Sequence, residues 1–476
     1  MPAFPSLCLD ELHEDIVLSI FSLTDVCTVL TVLSRVNTRF HAIAYTKQLW
    51  VLLIKDLLSR GLIDVPSDEI LEVLSTAELI GEIKRTVFGP RTWSPDPPTA
   101  PTSPTLIRQF IIESLGDRVS FVRLLPGGRY LAIRRKNDKD AQLLEFWAVS
   151  TGLRVWTWTP RTGFQILVTE FDVCHGSTVM VVLTLCDASS NLHALILEAH
   201  LESGQSREIL QIPSADFVGM PFIRPQITGH YFVSIFLNID HRRWISLLVN
   251  WRTEEYIALS CPDTQADFQI LPGYIFLTSQ LAPLSIRIHA ISSLQEFWRP
   301  LSDLSLRNTT SESAITPASI LPVSDSATSN TPLTFPFNLA NYHYHEVKLF
   351  VAESILRPDT YLLRVVHTDS PLTVTAPDPR ITMTASIHRL EFLEARSTPR
   401  FTSLSTFTPA KGLVAVSRAG YGLDRILPDK NVVCVIRQDE REGKFINFDG
   451  MRHADLSRNG ALMVLYQSRA EINYYE

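Results

Sequence analysis

The feature that most constrains this chain is a turn-and-strand unit that returns along its length. A glycine-containing turn precedes an alternating apolar run at Pro126-Gly127-Gly128 before residues 129–133, and again at His175-Gly176-Ser177 before 178–182. The unit recurs at Thr228-Gly229-His230 before 231–235 and at Leu271-Pro272-Gly273 before 274–277. It returns at Ala410-Lys411-Gly412 before 413–416 and at Arg458-Asn459-Gly460 before 461–464, with a weaker copy at 345–351. The early copies are each followed by a second strand that closes in a polar turn, at 144–152, 198–204, 249–254 and 288–293. Alternating apolar residues bounded by Gly, Pro, Asn and Asp are the pattern of half-buried β-strands.

The copies lie about forty to fifty residues apart, the period of a four-stranded propeller blade. Counting them predicts an all-β propeller of about seven four-stranded blades over residues 105–476. The chain ends soon after a third strand near 471–475, which leaves the last blade one strand short. Residues 106–112 form an apolar run with no partner of its own. Pairing the two predicts a closed ring, which would remove two open strand edges at once. The strands resemble degenerate WD-type repeats, with Trp147-Ala148 standing where a Trp-Asp pair would be. No blade carries the full pattern, so the resemblance implies the architecture and not that family's hydrogen-bond network.

Ahead of the repeats the period changes. Leu12, Ile16, Ile20 and Leu23 share one helical face, Val26, Val29, Leu30 and Leu33 a second, and Val36, Phe40 and Ile43 a third. Thr24, Asp25 and Thr46 are candidate N-caps, Gly61 is a candidate helix stop, and Ser75 with Glu78 has the spacing of a capping box. A segment of about forty residues is too short to bury that much apolar surface within itself, so part of it should face another body. The six prolines at 90, 95, 97, 98, 101 and 104 then end helix formation and predict a linker or a strap over 89–104.

The order Leu12-His13-Glu14-Asp15-Ile16, Ile20-Phe21-Ser22, residues 36–44 and Leu49-Trp50 resembles an F-box. Two positions depart from that family's pattern, His13 at its usual Pro and Asn37 at its usual Cys. The resemblance implies an F-box domain at 1–60 with a helical extension at 61–88, docked on the small Skp-family adaptor of cullin–RING ubiquitin ligases. Its adaptor-facing residues would be Leu12, Ile16, Ile20, Phe21, Val29, Leu30, Val36, Phe40, Leu49 and Trp50. The fold class expected is therefore α+β multidomain, a small helical F-box domain followed by the propeller. The function implied is the substrate-recognition subunit of an SCF-type E3 ubiquitin ligase, linked through the adaptor to a cullin scaffold and reading an unknown protein target. The alternative is a non-catalytic propeller scaffold whose helical cap does not bind the adaptor.

Composition narrows the partners further. A formal net charge of −7 over 476 residues argues against a general nucleic-acid surface, because phosphate binding requires a positive excess on one face. No run of about eighteen apolar residues is present to span a membrane, and the N-terminus lacks the pattern of a secretion signal. The six cysteines are scattered with no Cys-x-x-Cys pair, which points to reduced thiols in the cytoplasm or nucleus. Two stretches interrupt the β pattern. Residues 302–341 are rich in Ser, Thr, Pro and Asn and are expected to be a disordered insertion, and 370–380 read as a long loop.

Catalytic chemistry is not legible. The chain has no glycine-rich phosphate loop, no Gly-x-Ser-x-Gly elbow and no His-Glu-x-x-His, so neither a catalytic site nor a cofactor is expected. His343 and His345 would share a strand face, but no third ligand accompanies them and no metal is expected. Arg and aromatic residues in turns are better candidates for recognition. Arg242, Arg243 and Trp244 in one turn, and Tyr421 and Arg425 in another, are the expected target-binding residues.

Overall fold

The computed structural model describes residues 11–476 except 66, 94–103, 117, 138–139, 175–176, 214–222, 239–242, 262–267, 280–284, 305–309, 312–314, 316, 318, 323–342, 372–381, 393–399, 408–416, 420, 428–431 and 438–443. A helical region comes first, as α1 (Glu14–Ser22), α2 (Val26–Thr31), α3 (Thr38–Ala44), α4 (Lys47–Ser59), α5 (Asp68–Val73) and α6 (Thr76–Phe88). Side-chain caps set several of these starts. Asp25 accepts from the Thr28 amide at 2.8 Å, Asn37 from the Phe40 amide at 2.7 Å, and Ser75 with Glu78 forms a reciprocal capping box ahead of α6. Thr46 does not cap α4; its hydroxyl donates back to the Ile43 carbonyl at 2.8 Å.

From Leu106 on, the described residues form a mostly antiparallel β body. Among the described residues its strands fall into seven sheets, which follow one another along the chain in a propeller-like order. The first contains Val119–Leu124, Tyr130–Lys136, Gln142–Ala148 and Leu153–Trp158, each hydrogen-bonded to the next in sequence. The second and fifth sheets repeat this plan within 165–213 and 343–407; the third, in 223–261, adds Arg299–Pro300 and Thr310–Ser311, the fourth lies in 268–322, the sixth has three described strands in 421–447, and the seventh joins three in 453–475 to Leu106–Ile112.

Alternation along a strand explains how the sheets stack. In Thr178–Cys186 of the second sheet, Val179, Val181 and Leu183 pack on Phe146 and Trp156 of the first, while Met180 and Val182 pack on Phe232 and Leu247 of the third. A strand apolar on both faces is thereby buried on both. The third sheet meets the fourth through Val233, Leu248, Ile275 and Leu277, and the fourth meets the fifth through Phe276, Ile288, Leu349 and Leu363. The sixth and seventh share a core of Leu423, Val435, Leu456 and Val464.

The strand Leu106–Ile112 pairs antiparallel with the C-terminal strand Ala470–Tyr475, as Phe110 opposite Ile472 and Ile112 opposite Ala470. The first strand of the body thus completes the last sheet. Ile112, Met463 and Ile472 of that sheet bury against Val122, Leu131 and Ile133 of the first. Ile112→Ala should destabilise the protein by about 2–5 kcal/mol, with Tm falling by several degrees in a thermal melt. Ile107→Ala, at a position 49% exposed on the same strand, should leave Tm almost unchanged. Equal effects of the two would mean that this strand pairing does not hold the body together.

Two sequence expectations need correction here. Residues 302–341 are not structureless throughout, since Ser319–Pro322 is the outer strand of the fourth sheet, with Ile320 opposite Arg287, and Ile315 is buried between the third and fourth sheets. The second is the turn assigned to Tyr421 and Arg425, which belongs to a strand, Tyr421–Leu427. Most of the remaining 302–341 stretch, nearly all of the 370–380 loop and the repeat unit at 410–416 lie outside the described residues.

Candidate protein-interaction surfaces

The helical region closes a core of its own. Phe21 and Phe40 meet edge to face at 5.5 Å, and Val29, Leu49 and Trp50 are fully buried around them, with the Trp50 indole donating to the Ala44 carbonyl at 2.9 Å. These five residues of the expected adaptor-facing set point inward, into this core. Leu12, Ile20 and Leu30 are half-buried against the same core.

The exposed members are Ile16, at 49%, and Val36, at 57%. α1 is apolar on two sides. Val17, Leu18 and Phe21 face the core, Leu12 and Ile20 lie half-buried at its edge, and Ile16 at helical spacing from both points outward, with Leu23 beyond the helix end 89% exposed. Val32, also exposed, precedes Val36 by one turn and was not among the sequence candidates. A surface helix in a monomer normally keeps one apolar stripe and a polar opposite face. Here Ile16 and Leu23 stay exposed on the second side.

The region is seated on turns that join strands of the first, fifth and seventh sheets, and on the residues just ahead of Tyr421–Leu427 in the sixth. Asp64 is 2% exposed, and its carboxylate accepts from the Ser457 hydroxyl at 2.9 Å and the Asn459 amide at 2.7 Å. Burial pushes the Asp64 carboxyl above the usual aspartate range, against the lowering effect of Asn459, Ser457, Arg85 and Arg418. The Val65 amide donates to the Gly127 carbonyl at 3.0 Å. Gly128 sits at φ +72°, where a Cβ would lie 2.7 Å from that of Asp64, so this approach requires glycine. Ile355 and Leu356 of the fifth sheet's turn join the helical core, and Arg60 pairs with Glu353 beside them. Arg418, half-buried just ahead of the sixth sheet, has its pKa pushed down to about 10 by desolvation and Arg458, and donates to Asn459 at 2.8 Å and to the Glu353 carbonyl at 2.7 Å. On the neighbouring side Glu82 of α6 accepts from Arg108 at 2.8 Å and pairs with Arg85. Trp93 completes the seat, with its ring 5.4 Å from Tyr421 and 5.5 Å from Tyr475.

That last contact overturns one target-binding candidate. Tyr421 is 2% exposed and packs between Trp93 and Leu423, because the alternation in its strand directs Tyr421 and Leu423 to the same inner face. Arg243 and Trp244 begin the strand Arg243–Asn250, and Arg425 lies within Tyr421–Leu427; the side chains of all three, and Arg242 entirely, fall outside the described residues, as do those of His343 and His345. Carboxylates on the first strands of the sheets are engaged locally. Glu170 pairs with Arg123 at 2.7 Å, Asp172 accepts from the Gly229 amide at 2.7 Å, and Asp455 from the Leu456 amide at 2.8 Å. Among the described residues no group of three or more His, Cys, Asp or Glu is arranged to hold a metal ion, and no helix is long and apolar enough to cross a membrane.

No family model matches the chain, and no curated protein matches it. Among solved structures it is similar to KlHsv2 with loop 6CD replaced by a Gly-Ser linker, at 7% identity and a TM-score of 0.38, over 76% of this chain and 90% of that one. It is also similar to the β-propeller domain of the Trilobed protease from Pyrococcus furiosus, at 10% identity and a TM-score of 0.31, over 73% of this chain and 92% of that one. The polysaccharide lyase Uly1 is a third, at 7% identity and a TM-score of 0.38, over 78% of this chain and 99% of that one. Likeness at this level assigns none of those proteins' properties to this chain.

Proposed function

We propose that this chain is the target-recognition subunit of an SCF-type E3 ubiquitin ligase. In this reading residues 1–60 are an F-box that docks on a Skp-family adaptor, and through it on a cullin. Residues 61–88 extend the helices, 89–104 are a proline-rich linker, and 105–476 form a ring of about seven blades closed by the pairing of Leu106–Ile112 with Ala470–Tyr475. The loops of the ring present the target. No bond is made or broken by this chain; it acts by holding a target near an enzyme recruited elsewhere, which raises their effective concentration. Four reduced cysteines among the described residues are in keeping with a cytoplasmic or nuclear setting.

The observation that carries the reading is the exposed apolar edge of α1, Ile16 with Leu23 just beyond its end, beside the half-buried Leu12 and Ile20, while Val17, Leu18 and Phe21 of the same helix close a core. Capture of a purified recombinant Skp-family adaptor by the full chain tests it. A propeller-like protein-interaction scaffold is the second reading, favoured by how firmly Asp64 and Trp93 bind the helices to the body. In that case the helices serve as a cap and no adaptor is retained.

A further inference from the structure

A cleft of about 700 Å³ opens between the third and fourth sheets, within the size range of ligand sites. Strand register builds it. Tyr231 lies opposite Asn250, and Asn250 opposite Glu255, so the three form one row across the end of the third sheet. Cross-strand partners project to the same face. Facing this row is the end of the fourth sheet, where Tyr274 lies opposite Ala290, and the 3-10 helix Ile291–Phe297 leads on to Trp298. The Tyr231 and Trp298 rings are 6.1 Å apart and tilted by 34°, which makes a broad aromatic floor. Tyr274 is held by stacking of one face on Phe392 at 4.0 Å.

Two properties of the lining select a ligand class. Three aromatic side chains with π faces, Tyr231, Tyr274 and Trp298, surround the space, and among the described residues that line it Glu255 alone carries a charge. Glu255 is fixed by the Thr253 hydroxyl, which donates to it at 2.7 Å. The Asn250 side-chain oxygen is committed to the hairpin, accepting from the Arg252 amide at 3.1 Å and from the Thr253 amide at 3.4 Å. Aromatic faces and a carboxylate both attract a cation, and neither favours an anion.

We propose that this cleft binds the cationic head of a basic side chain, a lysine, methylated lysine or arginine, on a segment of a protein target. The proposal deepens the receptor reading, for which it supplies the target chemistry. The cleft belongs to the turns that, in the first, fifth and seventh sheets, carry the helical region, so a bound segment would lie on the same side of the body as the helices.

The test uses the full chain and four capped tripeptides with glycine on either side of lysine, trimethyllysine, arginine or the neutral tert-butyl analogue of trimethyllysine. Binding is read by saturation-transfer NMR and by Trp fluorescence. At least one cationic peptide should bind about tenfold or more tightly than the neutral analogue, and the order among the three identifies the preferred head group. Glu255→Gln, which keeps the shape and the Thr253 hydrogen bond, should weaken binding about fivefold or more, and Trp298→Leu should abolish it. Equal binding of the neutral analogue would overturn the proposal in favour of an apolar slot. Binding of cellobiose or chitobiose with no response to any cationic peptide would overturn it in favour of a sugar site, and silence from every peptide would also refute it. Adaptor capture is measured on the same variants and should not change. Loss of adaptor capture by the wild-type chain with peptide binding intact would remove the receptor reading and leave the cleft.

Discussion

Replacing Asp64 with alanine is expected to destabilise the folded chain by about 3 kcal/mol or more, because it strips a buried network of its acceptor. The Ser457 hydroxyl and the Asn459 amide would both lose their partner, and the half-buried Arg418 would lose a nearby negative charge. Asp64→Asn should be far milder, since burial already disfavours the charged carboxylate and an amide retains one acceptor and the same shape. The two substitutions also separate by pH. The folded carboxyl titrates above its ordinary value of about 4, so its contribution to stability is complete below that pH and declines as pH rises towards the raised folded value. The margin of wild type over Asp64→Asn in Tm should therefore shrink with rising pH across that window. A margin that grew instead would show a carboxylate stabilised as the anion, and the account of this junction would be wrong.

The contrast between Asp64 and the strands shows which parts of the molecule were readable in its sequence. Strand periodicity and glycine turns are local, so the returning units located most of the sheets and anticipated the pairing of 106–112 with the C-terminal strand. Asp64 gave no such signal, as Ser457 and Asn459 lie 393 and 395 residues away in the chain. The strand Ser319–Pro322 was hidden by its Ser- and Pro-rich surroundings, which dilute an apolar run of Ile320 and Leu321 to below the length that marks a strand. Tyr421 was misread for a related reason. Glycines on either side suggest a turn, whereas burial against Trp93 decides the matter, and Trp93 belongs to a distant segment. For the interaction surface the difficulty is an ambiguity of phase. α1 is apolar at 12, 16, 20 and 23 and also at 17, 18 and 21, so periodicity yields two faces and cannot say which one meets the core.

That phase is what an adaptor-capture experiment reads. Ile16→Asp places a charge on the exposed edge of α1, at a side chain half exposed in the free chain, so its effect on stability should stay within about 0.5 kcal/mol. In a complex the same carboxylate would be desolvated against apolar surface, and the loss should reach about 3 kcal/mol or more, enough to reduce adaptor affinity at least a hundredfold. Val36→Asp should act in the same direction, because Val36 is exposed and apolar as well. Phe21→Ala provides the opposite control. Phe21 is fully buried against Phe40, and its truncation should lower Tm through the loss of about 3–5 kcal/mol of packing, whatever it does to capture. Capture that falls with Ile16→Asp at unchanged Tm would place the adaptor on the outward face of α1. Capture that survives Ile16→Asp and Val36→Asp together, in a chain that binds the adaptor, would put the contact elsewhere on the helices. A wild-type chain that retains no purified adaptor would leave the exposed edge of α1 to a different protein, and the ligase assignment would fall with it.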